Sequence, residues 1–114
     1  MVAVDLDNNK LYFGTNGTWA NSGDPTSGAT GTGALSITSI AASTPGVAAS
    51  GWYHFACSDQ GTGPDTFDAN FGNGYFGTTA VSTSESDDAG IGSFEYDVPA
   101  GYYTLCTNNL GDQS

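Results

Sequence analysis

What this sequence has little of is positive charge. Its 114 residues include one basic side chain, Lys10, and no arginine, against 12 Asp and Glu, for a formal net charge of −11. Such a chain cannot neutralise phosphates, so nucleic acid is excluded as a partner and anionic membrane surfaces repel it. Apolar side chains are also sparse, with Val, Ile, Leu and Phe making up 19 of 114 residues. Thin apolar content with high net charge is the composition of disorder. Six Phe, six Tyr and two Trp oppose that reading, because each aromatic ring buries a large area. No apolar run approaches the roughly 18 residues of a membrane-spanning helix, so no membrane insertion is expected. The N-terminal residues Met1–Asp5 lack the basic and apolar regions of a signal peptide. The single histidine, His54, has no nucleophile spaced beside it, which leaves no hydrolytic triad to argue. Cys57 and Cys106 are the only cysteines, too few for a zinc cluster. Two buried thiols on neighbouring strands are preferred over a disulfide between them.

Seventeen glycines, with abundant Ser, Thr and Asn, argue against helix almost everywhere. The pattern is one of short strands between turns. Val2, Val4 and Leu6 alternate with Ala3 and Asp5. Asp7-Asn8-Asn9 then turns the chain, and Lys10-Leu11-Tyr12-Phe13 resumes extended structure. Asn16-Gly17 signals a second tight turn before Thr18-Trp19. Residues 20–34 have turn composition and are expected to form a long exposed loop. Further strands are expected over Leu35–Ile40, Trp52–Cys57, Thr66–Phe71, Gly92–Val98 and Gly101–Thr107, with Ser82–Gly90 an acidic loop. About seven short strands spaced by turns make the expected fold all-β, an antiparallel β-sandwich, in one domain spanning residues 1–114. Trp52, Phe55, Phe71 and Tyr103 are the expected core aromatics.

Three blocks of the chain resemble SPRY-type domains. Asp5-Leu6-Asp7-Asn8-Asn9-Lys10-Leu11-Tyr12-Phe13 with Asn16-Gly17-Thr18-Trp19 resembles the family's DxDxGxxxFxxNGxxW stretch. Asn70-Phe71-Gly72 resembles the NFG strand that follows it. Residues 92–110 are similar to the closing strand of SPRY-like modules in bacteriophage structural proteins, marine ones especially. The resemblance implies a concanavalin-like sandwich without a cofactor, acting as a binding or structural module. The blocks match only the second half of the family pattern. The sandwich is therefore expected to be incomplete without additional strands, supplied by a longer chain or by a partner. A half-sandwich exposes strand edges and apolar faces, which favours homo-oligomerisation.

Candidate sites follow from residue types. Asp5 and Asp7 lie on one strand face beside Asn8 and Asn9, and could hold Ca²⁺ or Mg²⁺ loosely. A polar hairpin whose side chains cap their own turn is the preferred reading. Glu95 and Asp97 are spaced like the paired carboxylates of some concanavalin-like glycosidases, but a third acid is missing, and solvent-facing carboxylates are preferred. Asn16-Gly17-Thr18 fits a glycosylation sequon and is read as a turn. Trp19 and Tyr75 flank loops and are the aromatic candidates for stacking on a sugar ring. The acidic run Glu85, Ser86, Asp87, Asp88 is read as a solvated face, able to contact a ligand or loose divalent cations.

Together these readings give an expectation: a non-enzymatic structural or adhesion module of a virus particle, as in a phage tail, fibre or capsid surface. Its partners would be other virion subunits and a host surface glycan or receptor, and its location virion or extracellular. The alternative is a free-standing, carbohydrate-binding, lectin-like protein.

Overall fold

The computed structural model describes residues 1–37, 53, 55–58, 61–106 and 109. The first hairpin forms as the alternation requires. Strand β1 (Val2–Asp5) pairs antiparallel with β2 (Lys10–Thr15), with Val2 opposite Phe13 and Val4 opposite Leu11. Asp5 closes the intervening turn. One carboxylate oxygen accepts from the Asn8 backbone N–H at 2.9 Å, and the other from the Asn8 side-chain amide at 2.8 Å. Asn16 and Gly17 both take positive φ, 49° and 78°, as a type I′ turn demands, and lead into β3 (Thr18–Trp19). Strand β4 (Leu35–Ser36) joins the same edge of β2 further along, with Leu35 opposite Leu11. Central β2 is thus flanked by β1 on one side and by β3 and β4, end to end, on the other. Among the described residues, no strand pairs with the outer edge of β1.

The two faces of this sheet differ. On one, Tyr12 is 1% exposed and Ala3 is buried with it. Their cover is residues 20–34, which do not form the open loop expected from composition. They fold into two 3-10 turns, Ala20–Ser22 and Pro25–Thr30. Asp24 caps the second, accepting from the Thr26 backbone N–H at 2.9 Å and the Thr26 hydroxyl at 2.6 Å. The Asp24 N–H donates to the Thr32 carbonyl, and the Thr32 N–H to the Ser27 hydroxyl, so the loop closes on itself. Closure requires glycine at position 33. A Cβ there would lie 2.5 Å from the Gly23 Cα, and its φ is +69°. Pro25 is buried against the sheet. The composition hid this because the ordering comes from side-chain-to-backbone bonds, not from an apolar pattern.

The opposite face carries Val2 at 50% exposure, Val4 at 36%, Phe13 at 47% and Leu35 at 53%. The register places these four on one side, because residues directly opposite in a ladder share a face. Leu6, 53% exposed, continues the β1 alternation beyond the strand.

The second half of the chain is held mainly by turns. A two-residue hairpin, β5 (Tyr75–Phe76) with β6 (Thr79–Ala80), forms where none was expected. Glu85 and Phe94 form an isolated antiparallel bridge. The expected strands over 66–71, 92–98 and 101–107 are absent among the described residues, and so is the strand at residues 53 and 55–57. At the ends of three of these spans Gly72, Gly92 and Gly101 adopt φ of 100°, 90° and 83°, outside the extended region, so the chain turns there. The expected aromatic core is also corrected. Phe55, Phe71 and Tyr103 are 62%, 45% and 61% exposed, and Tyr12 takes the buried position instead. Phe55 and Phe71 meet edge to face, with centroids 4.9 Å apart. Trp52 and His54 lie outside the described residues. Both cysteines are free, Cys57 exposed and Cys106 half-buried, so they are not the pair of buried thiols on strands that was expected.

The described regular structure is all-β in class: antiparallel ladders with two 3-10 turns and no α-helix. No helix of the described residues is long and apolar enough to cross a membrane.

Candidate functional site

Two grooves flank Pro25 and Thr26 where the N-terminal sheet meets residues 96–103. The Tyr102 hydroxyl fixes that junction by donating to the Pro25 carbonyl at 3.0 Å. Burial, with the nearby charges of Asp5 and Asp24, pushes the Tyr102 phenol up to about 12, so it remains a donor at any ordinary pH.

The first groove, about 370 Å³, is lined by Trp19 and Tyr96 with the carboxylates of Asp24 and Asp97. Trp19 is half-buried and stands edge-on to Tyr12, centroids 6.4 Å apart and planes at 71°, which fixes its ring. Tyr96 is 38% exposed and lies against the Asn16-Gly17 turn, where a Cβ on Gly17 would sit 3.1 Å from its ring. Only glycine at that turn both takes the positive φ and admits the Tyr96 ring. Asp97 has no hydrogen-bond or ion-pair partner among the described residues. Asp24 uses one carboxylate oxygen in its cap, leaving the other.

The second groove, about 430 Å³, is lined by Asp5, Asp7, Asn8, Tyr102 and Tyr103 among others. Here the weak metal candidates are found. Both Asp5 oxygens are engaged by Asn8, whose side-chain amide is the leading cause of a carboxyl held below its ordinary range. Asp7 is exposed. This is the self-capping hairpin that the residue types favoured. Among the described residues, no three His, Cys, Asp or Glu side chains are grouped to hold an ion.

The acidic run divides. Asp87 is 4% exposed and is not part of a solvated face. One of its oxygens accepts from the N–H groups of Ala89 (3.0 Å) and Ile91 (2.9 Å). The other accepts from the Thr104 N–H and the Asn109 side-chain amide, both at 2.8 Å. Burial alone would raise this carboxyl. The bonds from Thr104, Ile91 and Asn109 outweigh it and hold Asp87 far below the usual carboxylate range. Asp87 therefore organises the closing segment and is not available for contact. Asp88 is exposed and accepts from the Gly101 N–H at 2.7 Å. Glu85 is half-buried in its bridge to Phe94. Glu95 is bound by the backbone N–H and hydroxyl of Ser82, which lowers its carboxyl, whereas Asp97 lines the first groove. Of the aromatic candidates, Trp19 reaches a groove, and Tyr75 stands 49% exposed on β5 away from both.

Trp19 is marked in the sequence as a loop-flanking aromatic, whereas its groove neighbours Tyr96 and Asp24, 77 and 5 positions away in the chain, are not marked as sugar contacts. The local signal for Asp24 was the Asp-Pro step of a capped turn. Nothing local marked Tyr96. In comparisons with family models, curated proteins and solved structures, nothing matches this chain.

Proposed function

We propose that the chain is a non-enzymatic structural and adhesion module of a virus particle, such as a phage tail, fibre or capsid-surface protein. It is a SPRY-like, concanavalin-type half-sandwich whose second layer, absent among the described residues, is supplied by strands from outside residues 1–114. The observation that carries this reading is the open face of the N-terminal sheet. Val2, Val4, Phe13 and Leu35 are each at least 36% exposed on one side of a ladder whose other side is closed over Tyr12. A contiguous apolar sheet face is a contact surface, and the outer edge of β1, unpaired among the described residues, lies beside it. The meeting of the SPRY-like blocks supports the same reading. The Asn70 side-chain amide donates to the Ser93 carbonyl at 3.0 Å, and the Ser93 N–H to the Gly72 carbonyl at 3.0 Å. The occupants of the open face are copies of this chain or neighbouring virion subunits.

The test is a structure of the assembled protein. The expected result is a strand or apolar face of another subunit packed over Val2, Val4, Phe13 and Leu35. An assembly that leaves these four in water would overturn the reading. The lectin-like alternative rests on the Trp19–Tyr96 groove, and a monomer that selects glycans would favour it.

A further inference from the structure

We infer that the groove between Trp19 and Tyr96 is a binding site for a neutral saccharide. This rests on the adhesion part of the functional reading, and its failure would leave assembly through the apolar face untouched. The groove combines the two groups that sugar recognition needs. Aromatic faces accept the apolar C–H surface of a pyranose ring, and carboxylate oxygens accept hydrogen bonds from its hydroxyls. Trp19 is held edge-on to Tyr12, and Tyr96 is seated against Gly17, so little side-chain entropy is lost when a ring enters. Asp97 has no partner among the described residues, and Asp24 retains one carboxylate oxygen beyond its cap on Thr26. Both are therefore acceptors for sugar hydroxyls. The carboxylates of Asp24 and Asp97 outnumber the groove's one cation, the Met1 ammonium, which donates to the Gly14 carbonyl at 2.6 Å, and the chain carries a net charge of −11. Uronic and sialic acids are disfavoured on both grounds. A volume of about 370 Å³ accommodates one or two pyranose rings. Trp19 stands on the Tyr12 side of the sheet, opposite the exposed apolar face, so the site stays accessible when that face is covered.

The experiment is an array of neutral and uronic-acid oligosaccharides together with a Lys/Arg-rich peptide, probed with the full chain, followed by titration of the best neutral oligosaccharide. Binding to neutral glycans is expected. Tyr96→Ala should weaken it about tenfold, and Asp97→Asn severalfold. Trp19 also packs on Tyr12, so Trp19→Ala risks the fold, whereas Tyr96 and Asp97 are exposed and their variants keep the test decisive. Tyr75→Ala removes an exposed aromatic away from the groove and should leave affinity unchanged. The inference is overturned by silence toward all neutral glycans, preference for the anionic ones, or retention of the peptide alone. Equal losses in Tyr75→Ala and Tyr96→Ala would also sink it. Oligomeric state measured on the same samples shows whether assembly survives any such failure.

Discussion

Asp87 gathers four hydrogen bonds onto two oxygens, all from N–H donors. Replacing it with Asn turns one oxygen into an NH₂ that must face at least one of these donors. We expect Asp87→Asn to lower the melting temperature by about 5–10 °C, read by differential scanning calorimetry. The pH dependence follows from the same bonds. The carboxyls of Asp87, Asp5 and Glu95 sit below their unfolded values of 3.8, 3.8 and 4.5. A depressed folded pKa contributes stability that is present above the unfolded value and lost as pH falls through the folded one. Melting temperature should therefore be level down to about pH 5 and decline below pH 4, with a shallower decline in Asp87→Asn. A wild-type acid limb identical to the variant's would contradict this. Tyr102 works in the opposite direction. Its phenol is raised from 10.0 to about 12, so its contribution is present below pH 10 and lost as the medium passes through the folded value. Tyr102→Phe should cost about 1 kcal/mol at pH 7 and flatten the decline above pH 10, as measured by urea denaturation at pH 7 and at about pH 11.

Among elements, the hairpins show what local sequence can reveal. Val2–Asp5 and Lys10–Thr15 pair in the register their alternation requires, because the apolar period and the Asp-Asn turn agree. Asn16-Gly17 likewise specified its turn through backbone sterics alone. Gly17→Ala should cost about 1–2 kcal/mol in urea denaturation, from strain at φ +78° and from crowding of the Tyr96 ring. A neutral substitution would show that Tyr96 does not rest on this turn. Legibility fails where order is non-local. Residues 92–107 alternate like strands, yet Gly92 and Gly101 bend the chain, and Asp87 holds it from 17 positions upstream of Thr104. Residues 20–34 look like open loop, yet Asp24 and Ser27 fold them into a cover for Tyr12. In both segments a short polar side chain bonded to backbone decides the conformation, over two to five positions in residues 20–34 and over 17 from Asp87 to Thr104. Hydrophobic periodicity does not record such bonds. The candidate groove was half legible: Trp19 was marked as a loop-flanking aromatic, whereas Tyr96 arrives only through the tertiary fold.

At the scale of the whole molecule, two opposed features meet. An apolar sheet face beside a strand edge that is open among the described residues favours association, and a net charge of −11 resists it. Every copy added to an assembly adds its own charge, so the balance depends on screening. The Debye length falls from about 30 Å at 0.01 M salt to about 8 Å at 0.15 M. Assembly is therefore expected to require salt or divalent cations, with the acidic surface keeping the unassembled chain soluble. Sedimentation velocity across a salt series, on the wild-type chain and on a Val4→Asp, Phe13→Asp double variant, tests this claim most directly. Both substitutions fall on exposed positions of one sheet face. The account predicts wild-type monomers in low-salt chelator, oligomers at 0.15 M and above, and a variant that stays monomeric throughout. A wild-type chain that is monomeric at every salt concentration, or a double variant that assembles as the wild type does, would contradict it.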